Sequence, residues 1–323
     1  MRTCWLSLLG LLATACGGNF SNDDLEFINA LPVRTELTAK IPKRQGAAQT
    51  RGVLPGEARP LADTPIAEGD PSTLYEDTHQ ASERFNSALD GLLSMLESIR
   101  AHNPTTRAPD MRVWGPVEDT DHPGHLVRFL MTRQDGRFAY QLQYRPRGKG
   151  ADEWWSFVEG GFEANGGLRQ GTGTVSIQLA AARAHGFDVG IFAGYKRVDV
   201  AYQTRVPPMS VEVDFIPAAV RASLRYTYRE ASGGLGEMTF LLEDAALLPG
   251  NKKADLFIVS RWTNDRGGMA RAVATGGNVP ADLDATLVEC WDARFGVTYF
   301  KRGWETAEVG NAAACPDVSV LEP

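Results

Sequence analysis

From residue 110 onward, apolar and polar residues alternate along most of the chain. The clearest segment has an apolar residue at every second position: Phe138, Tyr140, Leu142 and Tyr144. Successive side chains of a strand point to opposite faces, so this period gives each strand one apolar face and one wet face. Such strands are typical of an antiparallel sheet that is covered on one side.

Short polar turns separate these segments. They are rich in glycine, which adopts the positive φ that tight hairpins need: Gln134-Asp135-Gly136, Asn165-Gly166-Gly167, Ser232-Gly233-Gly234 and Asp265-Arg266-Gly267-Gly268. Strands joined by hairpins form a meander, and the pattern predicts about ten to twelve of them. A sheet of that length must curl.

An amphipathic helix precedes the strands. Pro71-Ser72-Thr73 provides a start signal, and Asn103-Pro104 provides a stop. Between them an apolar stripe recurs at steps of three and four residues: Phe85, Leu89, Leu92, Leu96 and Ile99. The sequence therefore predicts a mainly β fold, in which a large curved antiparallel meander sheet, a half-open barrel, packs on this one N-terminal amphipathic helix. We expect the stripe to fill the hollow of the sheet.

The first residues have the features of a secretion signal. Arg2 is followed by an apolar run over residues 5–12 and by the small residues Ala13, Thr14 and Ala15. The run is too short to span a bilayer as a helix, which needs roughly 20 residues. It fits the apolar region of a signal peptide, which we assign to residues 1–15.

The small residues that end in Cys16 resemble a bacterial lipobox, although Leu12 lies one position earlier than in its commonest form. This resemblance implies that Cys16 becomes the acylated N-terminus of the mature protein, whose acyl chains anchor it in a membrane. The alternative is an ordinary secretory signal cut after Ala15. Cys16 would then be a free thiol, which is a liability in an oxidising compartment.

The region between Cys16 and the helix is rich in proline and poor in apolar residues. Its prolines include Pro32, Pro42, Pro55, Pro60 and Pro65. Such a composition cannot offset the entropy of ordering by burial. We therefore predict a flexible tether over residues 16–71 and a folded domain of helix and antiparallel sheet over residues 72–323.

The cysteines fit an exported protein. Cys4 leaves with the signal and Cys16 carries the anchor, so Cys290 and Cys315 remain. An even pair in an oxidising compartment predicts a disulfide between them. Closing a loop of this size contributes roughly 3 kcal/mol to stability in the chain-entropy description. The alternative is two separate buried thiols.

The charge distribution argues against nucleic acid as a partner. The chain has 33 basic and 40 acidic residues and a net charge of −7. The two signs are interspersed, and no basic block could follow a phosphate backbone.

One polar segment contains candidate metal ligands. Asp119, Asp121, His122 and His125 lie close together and offer oxygen and nitrogen donors. The two histidines are not spaced as a helical ligand pair, and no distant ligand accompanies them. A polar turn around Pro123-Gly124 is therefore the favoured interpretation, and we predict neither a metal nor a cofactor.

No catalytic residue can be assigned from the sequence. The chain lacks a Gly-x-Ser-x-Gly elbow, and its glycine-rich stretches open no helix that could bind phosphate. Its five histidines leave open a Ser-His-Asp site that assembles in space. Trp154 and Trp155 are adjacent, so we expect them on opposite faces of a strand, one in the core and the other outward or lining a concavity.

Several motifs resemble a family of uncharacterised Gram-negative cell-envelope lipoproteins of the myxobacterial type. They lie within residues 75–316 and include Trp114-Gly115-Pro116, Gly171-Thr172-Gly173-Thr174-Val175, Ser260-Arg261-Trp262 and Glu289-Cys290-Trp291-Asp292. The resemblance implies an envelope lipoprotein and carries no activity with it. The plan of a helix with a curved sheet is also similar to lipoprotein-localisation carriers, which is a likeness of fold alone.

Together these features predict a membrane-anchored envelope lipoprotein that is not an enzyme. We expect it at the outer membrane, facing the periplasm, where it binds an amphiphile or scaffolds an envelope assembly. Its expected partners are the membrane, through the lipid anchor, a lipid or other hydrophobic ligand, and an envelope protein. The alternative is a secreted-side hydrolase with a spatially assembled site. An apolar hollow favours binding, whereas convergent His, carboxylate and Ser groups favour an enzyme.

Lipidation can be tested at Cys16. Metabolic labelling with a fatty-acid analogue should mark the wild-type protein and leave Cys16→Ser unlabelled, because the Cys16 thiol is the first acyl acceptor of a lipobox. Equal labelling of the two proteins would contradict the assignment of the anchor.

Overall fold

The computed structural model describes residues 20–43, 66–219, 223–248, 252–277 and 279–318. Within these ranges the chain forms one antiparallel sheet of 15 strands, in which each strand pairs with its neighbours in sequence. The predicted mainly β meander is confirmed. The sheet does not close, because its first and last strands pair with one neighbour each.

The strands follow one another in chain order. Their bounds are β1 Thr106–Ala108, β2 Met111–Glu118, β3 His125–Gln134, β4 Arg137–Pro146, β5 Trp155–Ala164, β6 Gly171–Ile177, β7 Tyr195–Thr204, β8 Met209–Pro217, β9 Leu224–Glu230, β10 Gly236–Leu248, β11 Lys252–Trp262, β12 Gly268–Thr275, β13 Thr286–Trp291, β14 Val297–Arg302 and β15 Glu308–Gly310. The helices are α1 Asn22–Asn29, α2 Arg34–Leu37, α3 Thr73–Ala101 and α4 Leu179–Ala184.

The alternation of the sequence builds a single core. Apolar residues at every second position of the strands are buried, and they join one continuous cluster with the apolar residues of α3. The hairpin between β3 and β4 uses Asp135 and Gly136, both with positive φ (49° and 75°), as the sequence predicts for a tight turn.

The sheet has more strands than the pattern predicts. Two of the additional strands, β1 and β15, have three residues each and are too short to show a period. In β12, which follows the predicted hairpin at residues 265–268, the inward residues are the small Ala270, Ala272 and Ala274. Small side chains allow close approach, and β12 is one of the strands against which α3 packs.

Helix α3 forms where the sequence predicts it. The Ser72 hydroxyl caps its N-terminus by accepting a hydrogen bond from the Tyr75 amide at 3.1 Å. Phe85, Leu89 and Leu96 of the predicted stripe are fully buried. The helix packs against β10, β11 and β12, which lie in the second half of the meander.

A buried carboxylate joins α3 to the sheet. Glu289 of β13 accepts hydrogen bonds from the hydroxyls of Ser72 and Thr73 and from the Leu74 amide, the last at 3.2 Å. The N-terminus of a helix carries unpaired N–H groups and a partial positive charge, which a carboxylate complements. Burial nevertheless raises the pKa of Glu289, because its charged form is desolvated, and the hydrogen bonds offset only part of that effect.

The predicted tether is wrong for residues 20–43, which form α1 and α2 on the surface of the domain. Phe27, Leu31 and Leu37 are fully buried, and the Phe27 ring packs edge-on against Phe138 of β4. The segment has too few apolar residues for a core of its own, but it docks onto the core of the sheet. Residues 16–19 and 44–65 of the predicted tether lie outside the described residues.

A buried ion pair also holds this segment. The Arg112 Nε of β2 donates to Asp24 Oδ1 of α1 at 2.6 Å, and both side chains are almost fully buried. Burial alone would raise the pKa of Asp24, but its hydrogen bonds with Arg112 and Ser21 lower that pKa to about 2. Sequence composition could not show this contact, because the two partners are far apart in the chain.

The described structure contains the predicted disulfide. Cys290 of β13 and Cys315 are bonded, with their Cα atoms 5.3 Å apart, so the C-terminal segment is tied to the sheet. Cys4 and Cys16 lie outside the described residues, as does the predicted signal peptide.

Glu289 should make stability depend on pH. Its raised pKa means that the folded state keeps a proton which the unfolded chain, with a pKa of about 4.3, has already lost. The stability gained from that proton is full below about pH 4 and is lost as the pH rises through the raised pKa. The free energy of unfolding of the wild type should therefore fall relative to Glu289→Gln between pH 4 and pH 7. Urea unfolding at four pH values measures this difference.

The matched control is Glu163→Gln, at an exposed carboxylate that pairs with Arg137 on the surface. Its pH profile should parallel that of the wild type. A constant difference between the wild type and Glu289→Gln across the range would show that Glu289 does not titrate differently on folding.

Candidate functional site

Two adjoining cavities lie between α3 and the curved sheet. Their volumes are about 250 Å³ and about 360 Å³, and they share Ser87, Ala88 and Phe192 as lining residues. We call this continuous space the α3 groove. Binding sites for small ligands commonly have volumes of about 300–1,000 Å³ and a mostly apolar lining.

The groove lies over the strands of the sheet that α3 does not cover. Because α3 packs against β10, β11 and β12, strands β4 to β9 face the groove instead. The wall that these strands provide is aliphatic and aromatic: Leu142, Tyr144, Phe157, Val158, Ile177, Tyr195, Val198, Phe215, Leu224 and Tyr226.

Small residues on α3 make room for the groove. Ser87, Ala88 and Gly91 line it, and a Cβ added to Gly91 would meet no atom within 4 Å. The larger Leu92 and Met95 line the inner part of the same cavity. The expectation that the helix fills the hollow is therefore wrong on this side, because Ser87, Ala88 and Gly91 leave space between the helix and strands β4 to β9.

The connection between β6 and β7 covers one end of the groove. It contains α4 and the 3₁₀ turn Gly190–Phe192. Phe187 is buried under this connection, with its ring centroid 4.9 Å from that of Tyr144, while Ile191 at the tip is 67% exposed. Ile191 also lines the smaller cavity, so its exposed side chain forms part of the edge of the groove.

The candidate metal ligands form a polar turn beside this end. His122 Nδ1 lies 2.8 Å from Asp119 Oδ2, and the Asp121 amide donates to Asp119 Oδ1. Burial alone would raise the pKa of Asp119, but the hydrogen bonds with His122 and Asp121 lower it. The structure brings Asp119, Asp121 and His122 together as a hydrogen-bonded turn.

The two histidines of this turn contact an aromatic residue. The His122 ring stacks on Phe187 at 4.0 Å between centroids, and the His125 ring meets the same residue edge-on at 5.0 Å. In the part of the chain that the structure describes, no group of three or more His, Cys, Asp or Glu is arranged to hold a metal ion.

The adjacent tryptophans have different environments, although only Trp155 lies in a strand, because β5 begins at this residue. Trp155 stacks on His185 at 4.4 Å and on Tyr144 at 5.5 Å, beside the groove. Trp154 instead lies between the guanidinium groups of Arg128 and Arg145, at 4.2 Å and 4.8 Å from its ring centroid. The inner tryptophan supports the wall and end of the groove.

Sequence reasoning missed the residues that cover the groove. Phe187 and Phe192 lie in a connection whose apolar residues do not recur at helix or strand spacing, so the sequence pattern did not identify them. The available signal was the presence of large apolar residues, including Ile191, between glycines in a segment that should be solvated. Sequence reasoning likewise did not identify Arg84, whose side chain lines the smaller cavity.

The groove also contains residue types that a serine hydrolase uses, but they are not arranged as in an active site. Ser87 and His122 both line the larger cavity, and Asp119 is hydrogen-bonded to His122. In the described structure, however, the hydrogen bonds of His122 go to Asp119 and not to Ser87. The nucleophile and base of a serine hydrolase are joined by a hydrogen bond, although this contact can lengthen in an unliganded enzyme.

No protein-family model, curated protein or solved structure matches this chain. Among the residues that the structure describes, no helix is both long enough and apolar enough to cross a membrane. A functional assignment therefore depends on the groove itself.

Two leucines of α3 can show that the groove is a true cavity. Leu89 is fully buried in the core, so Leu89→Ala should cost about 2 to 5 kcal/mol of unfolding free energy. Leu92 lines the groove and has fewer packing partners on that side, so Leu92→Ala should cost less, about 1 to 3 kcal/mol. Urea unfolding of the two variants gives both values, and equal losses would mean that the space beside Leu92 is filled.

Proposed function

We propose that this protein is a lipid-anchored envelope protein that binds an amphiphile in the α3 groove. The observation that carries the proposal is the continuous apolar space between α3 and strands β4 to β9. Each methylene group transferred from water into such a space contributes about 0.8 kcal/mol. A single hydrocarbon chain in the groove would thus gain several kcal/mol, which can outweigh the entropy of association.

The small side chains of α3 support binding in preference to a purely structural role. A scaffold gains stability from large residues that close the core, whereas Gly91 in the interior of a helix costs about 1 kcal/mol relative to Ala. The exposed Ile191 supports the same interpretation, since it lies where a hydrocarbon chain would enter.

The N-terminal segment allows one protein to be anchored in a membrane and to bind an amphiphile. Phe20 packs against the core, and Cys16 precedes it by four residues. An extended chain of four residues spans at most about 14 Å. If Cys16 carries the anchor, the folded domain is held close to the membrane, and we propose the periplasmic face of the outer membrane as its location. An envelope protein that receives the amphiphile would be its further partner.

Filling the groove should abolish binding without unfolding the protein. Gly91→Leu places a side chain where the structure leaves open space, and it replaces glycine with a better helix former. We expect the affinity for an apolar fluorescent probe such as N-phenylnaphthylamine to fall at least tenfold. The free energy of unfolding should rise by about 1 kcal/mol.

The control is Ser98→Leu, which adds a leucine at an exposed position of the same helix outside the groove. It should leave probe binding unchanged. Probe binding that is the same in Gly91→Leu and in the wild type would refute the groove as the site. Native mass spectrometry of protein purified from its host should, in addition, detect a co-purifying lipid.

The hydrolase remains the second candidate because Ser87 and His122 both line the larger cavity and Asp119 is hydrogen-bonded to His122. It requires Ser87 to come within hydrogen-bonding distance of His122 when a substrate binds. An ester of a long-chain acid would then be cleaved by the wild type and left intact by Ser87→Ala. The binding function predicts no turnover in either protein.

A further inference from the structure

Arg84 is a cation in the lining of the α3 groove. It lies on α3, one turn before Ala88, and lines the smaller cavity with Tyr195 and Tyr226 of the sheet. Among the groove-lining residues that the structure describes, it is the one with a permanent positive charge. A cation beside an apolar space can bind the polar end of an amphiphile whose hydrocarbon chain occupies that space.

The guanidinium of Arg84 lacks a carboxylate partner in the described chain. Its Nε atom is buried and has no hydrogen-bond acceptor within reach. Two further polar side chains of α3 line the same cavity: Gln80 donates to Glu76 at 3.4 Å, and the exposed Glu83 lies 3.9 Å from His79. A buried donor without an acceptor is unfavourable, so a ligand that supplies an acceptor is stabilised at this position.

Tyr226 gives the site a second polar group. Burial raises the pKa of Tyr226 to about 12, and the nearby Arg84 opposes that rise. The hydroxyl therefore stays protonated at neutral pH and can donate a hydrogen bond. A guanidinium and a phenol at one position provide the donors that a carboxylate or phosphate oxygen accepts.

Building on the proposed function, we propose that the ligand is a single-chain amphiphile with an anionic headgroup, a carboxylate or a phosphate, which pairs with Arg84. Its hydrocarbon chain runs along α3 towards Met95, between the small helix residues and the wall of β4 to β9. The helix rises about 16 Å from Arg84 to Met95. Carbon–carbon bonds of about 1.5 Å follow a zigzag in an extended alkyl chain, so roughly a dozen carbons cover this distance.

The test compares headgroups on one chain length. Dodecanoate, dodecyl phosphate and dodecanol, each below its critical micelle concentration, compete with the fluorescent probe at pH 8. We expect the two anions to bind the wild-type protein at least tenfold more tightly than the alcohol. Arg84→Gln should lose this preference and bind all three equally. Arg84→Lys, which keeps the charge and loses the planar fork, should retain part of it.

Arg137→Gln is the matched control. It removes one positive charge at an exposed position outside the groove, so it changes the net charge equally and should keep the preference. Far-UV circular dichroism and melting temperature establish that each variant folds. A preference for phosphate over carboxylate in the wild type would indicate a phospholipid-derived ligand, and the reverse a fatty acid.

The outcomes separate the two proposals. If all three compounds bind equally well to the wild type, or if Arg84→Gln keeps the preference for the anions, the headgroup assignment is overturned and amphiphile binding stands. If none of the three displaces the probe, the groove does not bind amphiphiles and the proposed function fails as well.

Discussion

The structure depends on the place where α3 enters the sheet. Glu289 is buried, and its carboxylate accepts hydrogen bonds from the first residues of the helix, beginning with Ser72. A second buried contact, between the hydroxyls of Thr78 and Ser260 at 2.5 Å, lies one turn further along. Buried polar groups require partners, so a shift of the helix along the sheet would leave these groups unpaired. The apolar stripe alone would allow the helix several positions along the sheet. The polar contacts thus select one of these positions.

This fixed position determines where the groove lies. A meander of 15 strands offers more concave surface than one helix can cover, and α3 is attached near β11 and β13. Strands β4 to β9 are therefore left to face the small side of the helix. The connection from β6 to β7 then covers one end with Phe187 and Phe192. The cavity is a consequence of sheet size and helix attachment together, and no local motif encodes it.

This origin explains what could be predicted from the sequence. Period-two alternation, glycine hairpins and the stripe of Phe85, Leu89 and Leu96 are local signals, and the fold that they predict is the one observed. The disulfide followed from counting cysteines. The docking of residues 20–43 could not be predicted, because Phe27 and Asp24 acquire their partners from strands distant in sequence. The groove was missed for the same reason, since Gly91 and Ala88 look like neutral gaps in an amphipathic stripe until the opposite wall is known.

The docked N-terminal segment contacts the helix that forms one wall of the groove. The Arg34 guanidinium of α2 bonds to Ser94 and Glu97 on the solvent side of α3, at 3.1 Å and 3.0 Å. Ala39 exchanges two hydrogen bonds with the Asn86 side chain of the same helix. The segment that follows Cys16 thus runs along the helix that forms one wall of the groove. The residues that it contacts are not those that line the groove, so the segment and the groove use different parts of the surface of α3. If the proposed anchor at Cys16 holds this segment at a membrane, α3 is held there with it, and the groove stays free to bind its ligand.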